Sequence, residues 1–240
     1  MSTVLTLSKV SKHFRGLVAV DGVSFAVPQG AIFAVIGPNG AGKTTLFNMI
    51  AGAMPPDDGS ISFGSGPVHG LSADAVCRRG IARTFQIVRP FPALSVEDNV
   101  LIGALLHRRD VAAARAQAHA LLRQLDLFDK RQRVASTLTL PDRKRLEVAR
   151  ALATNPQLLL LDEVMAGLRP TETDRMVAIL KELNRSGLTI LLIEHVMRAV
   201  MALATRVLVL DHGVVIAEGE PAQVVRDPAV VQSYLGAEAD

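Results

Sequence analysis

The sequence predicts an α/β fold with a mostly parallel sheet, an antiparallel β subdomain and an inserted helical subdomain. Three observations support it. Residues 31–51 follow the pattern of a strand, a glycine-rich loop and a helix, short apolar runs alternate with helical segments toward the carboxyl terminus, and residues 95–153 are helical in pattern. With 240 residues, the chain is long enough for one such core with an insertion.

The first part of the chain is rich in strand patterns. Strand-like segments occupy residues 4–10, 23–27 and 31–36, and the first two alternate apolar with polar side chains. A turn-rich stretch at 55–59 precedes a short strand around 61–63. Because such alternation is typical of sheets with one solvated face, this part predicts the antiparallel subdomain.

The middle of the chain predicts three helices. Ser95 begins a capping box that opens a helix over residues 96–106, and an alanine-rich helix follows at 111–125. The third helix begins near Pro141, because proline suits the first helical position, and it ends at Ala153. Together these helices predict an insertion between two parts of the α/β core.

Strands and helices alternate again after residue 156. The predicted segments are strands at 157–161 and 189–193, helices at 171–184 and 196–204, and a hairpin of strands at 206–210 and 214–218. We therefore expect a single domain, with its α/β core and β subdomain at 1–86 and 156–240 and its helical subdomain at 87–155.

Composition argues against several classes of function. The net charge is only +3, and with no Trp and one Tyr the arginine clusters lack the interleaved aromatics of a nucleic-acid surface. The lone Cys77 has no partner for a disulfide or a metal site. No apolar run approaches the ~18 residues that span a bilayer, and the amino terminus lacks a secretory signal pattern. These features predict a protein of the reducing cytoplasm.

Residues 37–45 read GPNGAGKTT and match the phosphate-binding pattern G-x-x-x-x-G-K-[ST] between a strand and a helix, which predicts a P-loop NTPase. Its glycines allow the backbone to curl so that successive N–H groups point at phosphate oxygens. The alternative, an ordinary glycine-rich turn, does not explain the lysine and the flanking elements together. The residues predicted to contact the nucleotide are Gly37, Pro38, Asn39, Gly40, Ala41, Gly42, Lys43, Thr44 and Thr45.

Two of these side chains have distinct predicted roles. Lys43 would place a positive charge near the β- and γ-phosphates, and Thr44 would offer a hydroxyl to Mg²⁺. The amino terminus of the following helix would add the positive end of its dipole. The chain is therefore predicted to bind a nucleoside triphosphate.

A second motif follows a buried strand pattern. Four leucines at 158–161 lead into Asp162 and Glu163. An aspartate at the carboxyl end of such a strand would supply an oxygen to Mg²⁺. Glu163, on the other face, would orient or deprotonate an attacking water. Either acid alone is more often a strand-end surface charge, but next to a P-loop the functional interpretation is favoured.

With these motifs, nearly the whole chain resembles the ATP-binding subunit of ABC transporters. The resemblance implies that ATP and Mg²⁺ are bound, that Phe14 stacks on adenine, and that His195 hydrogen-bonds the γ-phosphate. It implies further that Gln86 senses Mg²⁺ and the attacking water beside a membrane subunit. Each has a plainer alternative: a core aromatic for Phe14, a polar loop residue for Gln86 and a locally satisfied histidine for His195.

Finer likeness points to one branch of that family. Residues 83–86, 145–152, 166–168 and 234–236 resemble the ATPases of branched-chain amino-acid uptake, a branch that also includes importers of urea and short amides. The resemblance implies a second ATP-binding subunit, two integral membrane permeases and an external substrate-binding protein. It also implies a peripheral location on the cytoplasmic face of the inner membrane.

The family's signature segment departs from its usual LSGGQ pattern. Residues 138–142 read LTLPD, so Pro141 stands where a glycine would offer its N–H to the γ-phosphate. Asp142 replaces a glutamine and would add negative charge toward a triphosphate, whereas Thr139 keeps a hydroxyl that could cap the helix. Because these subunits pair head to tail, the resemblance implies that the change affects the partner's ATP. Unequal ATP sites with a different partner are predicted, and an unimpaired helix start is the alternative.

Three functions remain open from the sequence. The first is a transport motor, for which the apolar loop at 87–92 is the expected docking surface unless it packs in the core. The second is a soluble ABC-type ATPase, which usually has a second ATPase domain or a long coiled coil. The third is a small-molecule kinase, which does not explain Gln86, the 166–168 loop and His195 together.

The residue directly after the 166–168 loop also departs from the family pattern. It is Arg169, where the family commonly has asparagine or aspartate.

Overall fold

The computed structural model describes residues 2–85 and 90–236, and its strands form two sheets. The smaller sheet contains β1 (Thr3–Phe14), β2 (Leu17–Pro28), β4 (Asp58–Phe63) and β5 (Gly66–Pro67). Its order is β2-β1-β4-β5, and all of its pairs are antiparallel. The predicted antiparallel subdomain is confirmed.

Strands β1 and β2 are longer than the sequence pattern predicted. Each has 12 residues, and their pairing register shifts between Leu7 and Val10. Lys9 lies in this irregularity with a φ of 48°. Such a bulge inserts an extra residue and interrupts the two-residue alternation, so the pattern reveals only part of each strand.

The larger sheet carries the predicted parallel core. Its strands are β3 (Ile32–Ile36), β6 (Ile81–Arg83), β7 (Leu158–Asp162), β8 (Thr189–Ile193), β9 (Arg206–Asp211) and β10 (Val214–Gly219). The order is β10-β9-β3-β8-β7-β6, with every pair parallel except the β9–β10 hairpin. Strand β3, which precedes the P-loop, and strand β7, which ends at Asp162, are therefore separated by a single strand, β8.

Nine α-helices are described in these residues. They are α1 (Lys43–Ile50), α2 (Ala73–Arg78), α3 (Val96–Ala104), α4 (Val111–Gln124), α5 (Leu140–Ala153), α6 (Pro170–Arg185), α7 (Met197–Leu203), α8 (Pro221–Val224) and α9 (Pro228–Gly236). Ser95 caps α3 as predicted, since its side chain accepts a hydrogen bond from the Asp98 N–H. Within the described ranges, no helix is long and apolar enough to cross a membrane.

The larger sheet is covered on both faces by separate cores. Along β3, Ile32, Ala34 and Ile36 face the core that includes α3 to α7, whereas Phe33 and Val35 face the core shared with α1 and the smaller sheet. Full burial of one such aliphatic side chain stabilises the fold by about 1.5–3 kcal/mol. Burial on both faces explains why β3, β7 and β8 are continuous apolar runs in the sequence.

The carboxyl ends of the parallel strands meet at one edge of this sheet. Val35 of β3 and Asp162 of β7 both pair with Ile193 of β8, so the P-loop and the acids emerge side by side. Helices α3, α4 and α5 lie between β6 and β7 along the chain, where the insertion was expected. The sequence did not predict β5, β6, α2, α8 or α9, all of which are short or terminal.

Candidate active site

The phosphate-binding loop has a backbone that requires glycine at two positions. Gly37 has a φ of 145° and Gly42 a φ of 96°, conformations that L side chains rarely adopt. A Cβ on Gly37 would lie 2.0 Å from the Leu210 carbonyl oxygen, and one on Gly42 would lie 2.2 Å from that of Ala19. Strands β9 and β2 thus approach the loop from two sides and fix its path.

The start of α1 presents unsatisfied donors beside this loop. Gly42 is the N-cap, and its carbonyl accepts the first intrahelical bond, from the Leu46 N–H. The N–H groups of the preceding turn, at residues 43–45, have no acceptor within the helix. Three N–H donors and the positive end of a helix dipole therefore converge where a phosphate would bind.

Lys43 connects the loop to the acids. Its Nζ donates to the carbonyl oxygens of Gly37 and Pro38, each at 2.7 Å, and the residue is only 8% exposed. Burial lowers the pKa of Lys43, and the negative charges of Glu163 and Asp162 partly oppose that shift. The two acids therefore act directly on the lysine's charge, as expected of groups in a single site.

Asp162 is held in place by residues at the end of β6. Arg83 donates to its Oδ2 at 2.8 Å and to Asn48 Oδ1 at 2.5 Å, while the Asp162 N–H donates to Thr84 Oγ1 at 3.2 Å. Asp162 is buried, and its Oδ1 has no hydrogen-bond partner among the described residues. An orphaned buried carboxylate oxygen is costly. A carboxylate oxygen without a partner is the kind of ligand that a hard divalent cation takes.

Glu163 lies just beyond β7 in a strained conformation. Its φ is 48°, and its N–H donates to the Ile193 carbonyl oxygen at 3.0 Å. The left-handed backbone conformation of Glu163 therefore sets the direction of its own side chain, and the strand alternation that the sequence suggested does not. His195 Nδ1 lies 3.8 Å from Glu163 Oε1, and the histidine side chain is largely exposed. The predicted base and the predicted γ-phosphate ligand are thus neighbours.

Phe14 lies at the end of β1, opposite Leu17 in the hairpin. It is 43% exposed, so it is not the core aromatic that the sequence left as an alternative. The hairpin adjoins the P-loop through Ala19, whose carbonyl faces Gly42. Gln86 and residues 87–89 of the predicted docking loop lie outside the described residues.

An apolar groove is formed by residues of the described part of the chain. Its volume is about 320 Å³, and its lining includes the exposed side chains of Phe85, Phe91 and Ile102. The Arg150 guanidinium lies 5.0 Å from the centre of the Phe91 ring. Asn99 fixes the backbone of Phe91 by accepting from its N–H at 2.8 Å and donating to its carbonyl oxygen at 3.1 Å. Phe91 is thus held at the surface and does not pack in the core.

Asp142 in the altered signature is buried. Lys130 and Arg145 each donate to its carboxylate at 2.5 Å. Burial opposes ionisation, but hydrogen bonds from Lys130, Thr139 and Arg145 outweigh it and lower the pKa of Asp142. The expectation that Asp142 adds negative charge toward a triphosphate is wrong, because two cations neutralise it inside the protein.

Pro141 occupies the second position of α5, because the helix begins one residue earlier, at Leu140. An N–H at that position would have no intrahelical acceptor, so proline costs the helix no hydrogen bond. Thr139 is the N-cap, but its side chain makes no capping hydrogen bond. The start of the helix is thus well formed, with one donor fewer than a glycine would provide.

Comparison with known proteins identifies the family. The model of a family described as "ABC transporter" matches residues 20–166, and one described as "Branched-chain amino acid ATP-binding cassette transporter" matches residues 214–240. The chain is an ATP-binding subunit of the ABC transporter family. Membership makes ATP its nucleotide and ATP hydrolysis its reaction.

Individual relatives support the assignment over the whole chain. The chain is 36% identical to the high-affinity branched-chain amino acid transport ATP-binding protein BraF of Pseudomonas aeruginosa, across 97% of this chain and 98% of BraF. It is also 36% identical to the lipopolysaccharide export system ATP-binding protein LptB of Escherichia coli, across 97% of each chain. The crystal structure of the ADP conformation of MJ1267, an ATP-binding cassette of an ABC transporter, superposes with a TM-score of 0.90 at 32% identity, across 98% of this chain and 100% of MJ1267.

This ABC subunit contains site residues that sequence reasoning missed. Arg83 and Thr84 lay in a segment used only as a family resemblance, yet they brace Asp162. Tyr234 on α9 contacts the P-loop through a hydrogen bond with the Gly37 backbone. Burial raises the pKa of the Tyr234 hydroxyl, and this hydrogen bond partly opposes the rise. A cavity of about 710 Å³ separates the P-loop from the rest of α9. Lys144 and Glu194, both buried, also escaped notice.

Proposed function

We propose that this chain is the ATP-hydrolysing subunit of an ABC importer for branched-chain amino acids or related small solutes such as urea and amides. The single observation that carries its catalytic part is that β3 and β7 end at one edge of the sheet, with Val35 and Asp162 both paired with Ile193, which brings the P-loop to the same edge as Asp162 and Glu163. The solute class is supported by the match at residues 214–240 and by the likeness to BraF.

The P-loop would bind the phosphates of ATP. Its backbone N–H groups and those at the start of α1 would donate to the phosphate oxygens, and Lys43 would exchange the carbonyls of Gly37 and Pro38 for them. Phe14, exposed on a hairpin that adjoins the loop, would stack on the adenine. The remaining loop residues would fix the position of the γ-phosphate.

Glu163 would act as general base for the attacking water. Its carboxylate has Lys43 and His195 as charged or polar neighbours. His195 would donate to the γ-phosphate, which places the reacting phosphorus between these groups. Thr44, Asp162 and Gln86 would hold Mg²⁺, which neutralises charge on the β- and γ-phosphates.

The partners follow from the same assignment. A second ATP-binding subunit, more readily a different one than a copy, would complete each nucleotide site with its signature helix. Of two membrane permeases, one would dock in the groove that contains Phe91, and an external binding protein would deliver the solute. The chain would be peripheral on the cytoplasmic face of the membrane. We propose 87–155 as its helical subdomain, between core segments 1–86 and 156–240.

A second candidate function is export. The chain is as similar to LptB, an export-system subunit, as it is to BraF. The site described above would hydrolyse ATP identically in either direction, because direction is set by the permeases. Hydrolysis by a soluble ABC-type ATPase without permeases is the remaining alternative.

Purification of the tagged chain from gently solubilised membranes tests these functions. For import we expect two integral membrane proteins and a second ATPase in fixed ratio, with a soluble solute-binding protein recovered after crosslinking. Recovery of envelope-spanning export components would favour export, and recovery of no membrane protein would favour the soluble ATPase.

Two matched variants make that experiment specific to the groove. Phe91→Glu places a charge in the groove and is expected to release the permeases. Val111→Glu changes a comparably exposed apolar residue at the start of α4, outside the groove lining, and is expected to retain them. Loss of the permeases from both variants, or from neither, would contradict the proposed docking surface.

A further inference from the structure

Two buried charged side chains lie beside the proposed base without a role in the chemistry above. Lys144 on α5 is 4% exposed, and Glu194, directly after β8, is 1% exposed. Burial of such groups is costly, so each is expected to make a contact that repays the cost. Both contact the short segment that begins at Glu163.

Glu194 holds this segment two residues beyond the base. Its Oε1 accepts a hydrogen bond from the Met165 N–H at 2.8 Å, whereas its Oε2 has no hydrogen-bond partner among the described residues. Burial raises the pKa of Glu194, and the Met165 N–H partly opposes that shift. Glu194 therefore acts chiefly as an acceptor for one backbone N–H.

Lys144 holds the base itself. Its Nζ donates to the carbonyl oxygen of Glu163 at 2.9 Å. Burial lowers the pKa of Lys144, and the charge of Glu194 is the largest influence in the opposite direction. The lysine and the glutamate are thus coupled electrostatically, and they fix adjacent parts of the same turn.

The turn needs such support because Glu163 is strained. A residue other than glycine in the left-handed region is strained, and it persists only where its surroundings over-determine it. Here the Glu163 N–H donates to Ile193, its carbonyl accepts from Lys144, and the Met165 N–H donates to Glu194. The peptide groups on both sides of the Glu163 Cα are therefore fixed, and with them the direction of its carboxylate.

We propose that Lys144 and Glu194 are positioning residues that hold Glu163 in its left-handed conformation for catalysis. Lys144 also joins the base to α5, the helix whose first turn is the signature segment offered to the partner's nucleotide. A single side chain thus connects the two nucleotide sites that this subunit serves. The inference rests on the proposed role of Glu163 as general base.

The test compares steady-state ATP hydrolysis of variants in the assembled transporter. Lys144→Met removes the donor, and Glu194→Ala removes the acceptor. Each is expected to lower kcat about 10- to 100-fold, the size expected for a misplaced catalytic group, with KM for ATP changed less than about twofold. Glu194→Gln keeps an oxygen for the Met165 N–H and is expected to recover most of the loss. The matched controls, Lys181→Met and Glu182→Ala on α6, are expected to hydrolyse ATP normally.

A double variant separates positioning from general destabilisation. In the Glu163→Gln background there is no carboxylate left to position, so Lys144→Met is expected to cause no further loss of the residual rate. The proposal would be overturned if Lys144→Met lowered the rate equally in both backgrounds, or if Lys144→Met and Glu194→Ala had the kcat of the wild type. It would also be overturned if the loss of rate were proportional to the loss of folded protein. If Lys144→Met or Glu194→Ala does not fold, Lys144→Leu and Glu194→Met, which also remove the donor and the acceptor, carry the same comparison.

The base assignment is tested independently of this pair. If Glu163→Gln hydrolyses ATP normally, the proposed function of Glu163 is wrong. If Glu163→Gln is inactive while the Lys144 and Glu194 variants are normal, only the positioning role is wrong.

Discussion

Two regions of this molecule are positioned to meet a nucleotide, and they are built in opposite ways. The edge that carries the P-loop and the acids contains Glu163 in a left-handed conformation that costs free energy, and Gly37 and Gly42 in conformations that side chains other than glycine rarely adopt. The start of α5 has ordinary helical geometry, with Pro141 where its missing N–H costs the fold nothing and Asp142 paired inside. Strain is retained at the first region because its donors and carboxylates must point at a reacting group.

The comparison predicts different consequences of mutation in the two regions. Changes at the strained edge are expected to damage binding or chemistry in this chain's own site and to leave the fold intact. Changes at α5 are expected to alter stability or the partner's site, since the residues there satisfy one another.

The largest effect is expected for Glu163→Gln. Loss of a general base lowers rates by about 10²–10⁴-fold, whereas the isosteric amide leaves the charge and donors of the P-loop in place. We expect kcat at this chain's site to fall by that factor with ATP affinity nearly unchanged, measured by single-turnover hydrolysis and nucleotide titration. Glu182→Gln on the exposed side of α6 is the control, and equal rates in both variants would remove Glu163 from the mechanism.

Lys43→Met is expected to have the next largest effect. It removes a charged donor, and hydrogen bonds to charged groups contribute about 1.5–3 kcal/mol, or roughly 10- to 100-fold in affinity. We expect the dissociation constant of ATP to rise by that factor in equilibrium binding. Lys181→Met makes the same change on α6 and should bind ATP normally. An unchanged affinity in Lys43→Met would contradict the assignment of the P-loop as the phosphate site.

Asp142→Asn is expected to affect stability more than catalysis. It leaves Lys130 and Arg145 without their carboxylate, which we expect to lower the free energy of unfolding by about 1–3 kcal/mol at neutral pH. Urea unfolding measures this, and Asp174→Asn, in an exposed pair with Arg198, is the control.

The difference in the free energy of unfolding between the wild type and Asp142→Asn is expected to depend on pH with a definite sign. The folded-state pKa of Asp142 is lowered, so the unfolded chain takes up the proton first. The stabilisation is therefore complete above the unfolded value of about 3.9 and is lost as the pH falls through the lower folded value. The wild type and Asp142→Asn should converge in acid, and a difference that grows on acidification would be inconsistent with the buried ion pairs.

The sequence predicted the strained region better than the relaxed one. The bounds of β8 match the prediction, those of β3 differ from it by one residue at one end, and those of β7 differ by one residue at each end, because strands buried on both faces are unbroken apolar runs. The P-loop was predicted because its function depends on residue types at fixed spacing. In such segments the same physical requirement, burial on both faces or a fixed loop geometry, determines both the sequence pattern and the structure.

Side-chain direction was not predictable where it depends on distant residues. Asp142 is buried because Lys130 reaches it from the segment between α4 and α5, a contact with no periodic pattern. Glu163 turns because of a left-handed φ, which its residue type disfavours. Lys144 and Glu194 were missed because each looks like an ordinary charged residue until the fold places it against the Glu163 turn.

The smallest effect is expected for Pro141→Gly, and it is the sharpest test of the comparison. Because Asp142 is neutralised internally, the defect of this signature reduces to one absent N–H, and a net hydrogen bond contributes about 0.5–1.5 kcal/mol, or roughly two- to tenfold. We expect ATP turnover in the assembled complex to rise by such a factor at the partner's site, with no change at the site of Lys43. Site-specific rates follow from combining Pro141→Gly with Glu163→Gln, which silences this chain's own base. Pro221→Gly, at the first position of α8, is the control for replacing a proline at a helix start. No change at either site would mean that the signature helix works through its dipole alone, whereas a rise at both sites would contradict an effect confined to the partner's site.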